Sequence, residues 1–106
     1  MPKYLIQASY TAEGARGVLK SGGSARWVAA QQAIESVDGK IEAFYFAFGE
    51  DDVYVILDAP DNVSLAAASL AINASGAVRT KTTVLLTPEE IDQAAKKTVR
   101  YRPPGQ

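Results

Sequence analysis

Two adjacent strand-like segments, apolar on both of their sides, constrain this chain more than any other feature. From Ile41 to Phe48 seven of eight residues are apolar, Glu42 being the exception, and in the stretch from Val53 to Ala59 Asp58 is the one polar member. Gly49-Glu50-Asp51-Asp52 links them, and a polar, glycine-bearing link between two β-rich runs reads as a hairpin. A strand with one face in water alternates apolar with polar residues, whereas a strand without that alternation needs cover on both faces. Strict alternation puts Phe44, Phe46 and Phe48 on one side and Ile41, Ala43, Tyr45 and Ala47 on the other.

The rest of the chain supplies cover for one side. Lys3 to Tyr10 alternates, with Tyr4, Ile6, Ala8 and Tyr10 on one side, and reads as a first strand. Thr11 can cap a short helix to Lys20. Ser21-Gly22-Gly23 interrupts, Ser24 can restart the helix as a cap, and Asp38-Gly39 stops it. In this second piece Trp27, Ala30, Gln31 and Ile34 make a mostly apolar stripe. Pro60 closes the hairpin, Asp61 can cap a helix over 62–74, Gly76 ends it, and Ala77 to Leu86 reads as a last strand. Thr87-Pro88-Glu89-Glu90 then carries a capping residue, proline at the first helical position and Glu three residues after the cap, predicting a final helix of about two turns.

The order strand, helix, strand, strand, helix, strand is the ferredoxin-like βαββαβ arrangement. This is an α+β fold with a four-stranded antiparallel sheet and its long helices on one face. With 106 residues there is room for one domain, read as 1–98 with a C-terminal tail over 99–106. The sheet's other face has no cover within the chain. An apolar face of that size exceeds what soluble monomers usually leave bare, so a homodimer packed through the sheet face is expected.

Composition removes most catalytic chemistry. The chain has no cysteine and no histidine, which excludes disulfides, thiol nucleophiles, imidazole bases and the usual zinc sites, so neither a metal site nor a cofactor is expected. A net charge of −1 offers no field for nucleic acid or anionic lipid, and no nucleic-acid partner is expected. The basic cluster Lys96, Lys97, Arg100 and Arg102 reads as a solvated tail or an arm crossing to another subunit. No apolar stretch approaches the roughly 20 residues of a membrane span, and Met1-Pro2-Lys3-Tyr4 shows neither a charged lead nor an apolar h-region. A cytoplasmic location without membrane contact is the expectation.

Four segments together resemble the GYD domain family: Tyr4-Leu5-Ile6, the hairpin from Phe44 to Asp52, Leu57-Asp58-Ala59-Pro60-Asp61, and Gly76-Ala77-Val78-Arg79-Thr80. The similarity spans roughly residues 3 to 91. It implies the dimeric α/β-barrel fold and assembly. Where the family tends to carry Gly-x-Tyr-Asp, this chain has Gly49-Glu50-Asp51-Asp52, with Asp51 in place of the tyrosine. Proteins of that architecture include cofactor-free quinol oxygenases, lactone isomerases, haem-degrading oxygenases and amino-acid-sensing domains. The lack of histidine weighs against the haem-degrading type.

Candidate residues follow from these readings. Trp27, Tyr45 and Tyr54 can wall an aromatic pocket between helices and sheet, and Arg79, with Lys81 on the same side of the last strand, can grip an acidic ligand. Gly22, Gly23, Ser24 and Arg26 form a candidate anion site at a helix start. Asp52 and Tyr54 are the candidates for proton transfer if the chain is a cofactor-free oxygenase or isomerase; the acidic link itself reads as a solvated turn. A small-molecule-binding dimer is the leading expectation, beside that enzyme and a purely structural interaction module.

Overall fold

Alternation in the first strand is realised residue by residue: Tyr4, Ile6 and Ala8 are buried while Leu5, Gln7 and Ser9 face the other way. The computed structural model describes residues 1–106. Its elements are β1 (Lys3–Tyr10), α1 (Ala12–Ser21), α2 (Gly23–Glu35), β2 (Lys40–Phe46), β3 (Val53–Asp58), α3 (Asn62–Ala74), β4 (Val78–Leu85) and α4 (Pro88–Ala95). The four strands form one antiparallel sheet in the order β2-β3-β1-β4, the α+β ferredoxin-like topology.

Helices α1, α2 and α3 lie on one face of that sheet. Beneath them Tyr4, Ile6, Val53, Val55 and Leu57 meet Ile34, Leu65 and Ala68 in the buried core. Local signals place the helices. Thr11 Oγ1 accepts from the Gly14 N–H at the start of α1, and Asp61 Oδ1 accepts from the Ser64 N–H at 2.8 Å at the start of α3. That backbone hydrogen bond, with a further bond from the Ser64 side chain, holds the Asp61 carboxyl below the ordinary aspartate value against the opposing effect of burial. The Tyr4 hydroxyl, buried in the core, donates to Asn62 Oδ1 at 2.5 Å and ties β1 to the first turn of α3.

Two local expectations, the Ser24 cap and the extent and phase of the second strand, are corrected, while the stop at Asp38-Gly39 forms as expected. Ser24 does not cap α2. The helix begins two residues earlier, with Gly22 at φ 83° as its N-cap and no side-chain cap, so Ser24 already lies within the first turn. After α2 the left-handed residue is Asp38, at φ 62°, and the Gly39 N–H returns to the Ile34 carbonyl at 2.9 Å. Strand β2 ends at Phe46 rather than Phe48, and a bulge between Ile41 and Ala43 breaks its alternation. Ile41 is thereby opposite Leu57 and packs against the core with Phe44, leaving Ala43 and Tyr45 on the outer face.

Every residue from Leu86 to Gln106 is exposed, α4 included, and the molecule measures 57 × 33 × 22 Å with this segment projecting from the body. No helix is long and apolar enough to cross a membrane.

Candidate functional site

Small side chains on the helices leave a space above the sheet. Ala29, Ala30 and Ala33 on α2 and Ala68 on α3 stand over Ile6, Val53 and Val55, too short to meet across the gap. The result is a cavity of about 100 Å³, sixteen of whose nineteen lining residues are hydrophobic, so its walls are mainly apolar. A wider cleft of about 600 Å³, lined by Glu13, Gly17, Ser21 and Ser75 among others, adjoins it; Tyr10, Arg26, Ile72 and Val78 line both. Arg26 therefore stands where the outer cleft meets the inner cavity.

Arg26 is half-buried and has no partner within the chain. It enters none of the three ion pairs of the chain, and its fully enclosed Nε is the one buried side-chain nitrogen or oxygen with no hydrogen-bond partner. An unsatisfied buried donor typically costs about 1–3 kcal/mol, and more on a charged group. A cation near the start of a helix also opposes the helix dipole, and α2 has no acidic residue in its first turn to offset it. Of the anion-site candidates, Arg26 alone brings a side chain to the cavity. Gly22 serves the turn, and at Gly23 a Cβ would meet the Phe46 ring at 3.0 Å, so glycine lets α2 approach β2.

The register separates the other candidates. Tyr45 pairs with Tyr54 across β2 and β3 on the outer face of the sheet, and Arg79, opposite Ser9, lies on that same face. None of the three lines the space between helices and sheet, and neither does Trp27. Instead Trp27 meets Phe44 edge-on at 5.1 Å, Phe44 meets Phe46 at 5.5 Å, and the three rings brace α2 on β2. The aromatic-walled pocket expected from sequence is thus replaced by an alanine-lined one. Alanines on α2 and α3 were visible in the sequence, but a void between them exists only once the helices are seated on the sheet.

The acidic link is not a solvated turn throughout. Asp51 is 4% exposed, accepting from Gln7 Nε2 at 3.1 Å and Ser9 Oγ at 3.0 Å, with Lys81 Nζ at 3.2 Å. Burial pushes its carboxyl upward, but the hydrogen bond and charge of Lys81 and the bonds from Ser9 and Gln7 outweigh it and leave the group below the ordinary value. Lys81 is therefore engaged by Asp51. Asp52 holds backbone: its Oδ2 accepts from the Tyr10 N–H at 2.8 Å, its N–H donates to the Ala8 carbonyl, and its carbonyl accepts from Ala47. It makes no hydrogen bond to Tyr54. Sequence reasoning missed Asp51, Gln7 and Ser9 as a unit; the polar residues Gln7, Ser9, Arg79 and Lys81 sharing the outward side of β1 and β4 are the pattern that marks it. No group of three or more metal-ligating side chains is brought together.

On the outer face, apolar and polar areas divide. Leu5, Ala43, Tyr45, Tyr54 and Ile56 lie over β2, β3 and β1, with Tyr45 71% exposed, while the Asp51 cluster occupies one end and Lys3, bonded to Glu42 at 2.6 Å and Asp58 at 3.0 Å, the other. Comparison with known proteins adds one finding: the family model described as GYD domain matches residues 4–95. No curated protein and no solved structure matches the chain.

Proposed function

This chain belongs to the GYD domain family, and we propose that it works as a homodimeric binding module that takes a small, mainly apolar molecule into the space between its helices and its sheet. The cavity walled by alanines of α2 and α3 carries this reading. An apolar cavity of ~150 Å³ holds a benzene molecule, so this smaller space suits a short branched chain, or a single ring that reaches into the adjoining cleft. The expectation of a second subunit rests on the outer face, where Tyr45 and its apolar neighbours have no cover. The enzymatic alternative has less support, because Asp52 is committed to backbone amides and Tyr54 lies across the sheet from the cavity.

The test compares the native chain with Ala33→Leu, which fills the space. Filling it should stabilise the empty protein by about 1–2 kcal/mol, the burial of a few methylene-sized groups. A ligand from a panel of small ring compounds should stabilise the native chain, by ~2.7 kcal/mol at 100 times its dissociation constant, and leave Ala33→Leu unmoved. Equal responses from both proteins across the panel would defeat the proposal.

A further inference from the structure

We infer that the occupant of the cavity is a monocarboxylate, its acid group held by Arg26 and its apolar body enclosed by the alanine-lined walls. This rests on the binding role proposed above and adds the chemical class of the ligand. Three observations carry it. The Nε of Arg26 is enclosed and without a partner, in a chain where every other buried side-chain nitrogen and oxygen has one. No acid of the chain forms an ion pair with it: the ion pairs use Lys3 with Glu42 and Asp58, and Lys81 with Asp51, none of which lines the cavity. And Arg26 lines both the cavity and the outer cleft, the position at which an acid group follows its apolar body inward.

The chemistry of the position narrows the class. A guanidinium stays charged where a lysine would lose its proton, and its planar fork of N–H donors matches a carboxylate. The other polar residues of the lining are Ser69 and Thr80, with their hydroxyls 3.4 Å apart; Thr80 Oγ1 also accepts from Asn73 Nδ2 at 2.8 Å. These are neutral groups, and no second cation lines the cavity, so a single negative charge is matched and a polyanion such as a nucleotide is not. The outer cleft carries Glu13, whose charge disfavours multiply charged acids further.

Benzoate and benzamide, alike in shape and different in charge, separate the inference from the reading beneath it. Binding to the full chain at neutral pH is measured by calorimetry and by methyl chemical shifts of Ala30, Ala33 and Ile34. We expect benzoate to bind roughly tenfold or more tighter than benzamide, the scale of a hydrogen bond to a charged group. In Arg26→Met, which keeps the length of the side chain, that preference should vanish while benzamide binding is retained, and Arg26→Lys should restore part of it. The ligand-free Arg26→Met protein should unfold at the same or a higher temperature, since no partner within the chain is lost. Equal binding of the two probes to the native chain would overturn the carboxylate and leave the cavity reading standing. Failure of both probes to shift the methyls, up to their solubility limits, would overturn the two together. A lowered unfolding temperature of ligand-free Arg26→Met would make Arg26 a structural residue and overturn the inference by itself.

Discussion

At residue scale, Asp51 sets an acid sensitivity. Its carboxyl titrates below the ordinary value of 3.8, so its stabilising contribution is present above that value and is lost as pH falls through the lower value of the folded state. Asp51→Asn should therefore be less stable than the native chain at neutral pH, with the gap closing under acid, as thermal melts over a pH series would show. Two glycines of α1 make a second contrast. A Cβ at Gly14 would lie 2.0 Å from the Ala77 carbonyl oxygen, whereas at Gly17 it meets nothing within 4 Å. Gly14→Ala should cost roughly 1–3 kcal/mol through overpacking. Gly17→Ala should stabilise by about 0.5–1 kcal/mol through helix propensity, and urea denaturation reads both. Such residue-scale facts were the least legible in the sequence. Asp51 and Asp52 are neighbours of one type, and only the ends of β1 and β4, brought alongside, make one a buried ion-pair partner and the other a clasp on backbone.

At element scale, what is decided locally was legible and what is decided by packing was not. The box at Thr87 forms as its three-residue spacing implies: the Glu90 N–H donates to Thr87 Oγ1 at 3.1 Å and the Thr87 N–H to Glu90 Oε1 at 2.9 Å. The same holds for Asp61 and α3. In contrast, the bulge after Ile41 has no sequence marker; it arises because an extra residue lets Ile41 reach the core opposite Leu57. Helix α4 buries no residue, so its order rests on local signals: the capping box, Pro88 at its first position and the acidic first turn of Glu89 and Glu90. Thr87→Ala should weaken it locally by ~1 kcal/mol and speed its amide exchange, with the global unfolding midpoint unchanged.

For the whole molecule, the ferredoxin-like order, the helix-bearing face and the lack of cover on the opposite face all followed from alternation and its failure in the hairpin. The contents of the space under the helices did not, because a void is a property of facing surfaces rather than of any segment. If Tyr45 and its neighbours are a subunit contact, the native chain should sediment at twice its 11.3 kDa mass, and Tyr45→Asp with Ile56→Asp should sediment as a folded monomer. A monomeric native chain at micromolar concentration would remove the contact. The cavity and its outer cleft lie on the helix side of the sheet, opposite that contact. Two chains joined back to back would thus carry their cavities on opposite outer sides of the paired sheets. Filling one would leave the other open, so the expected stoichiometry is two per assembly, and any coupling between the two would have to pass through β3, whose Val53 and Val55 floor the cavity while Tyr54 and Ile56 face the contact.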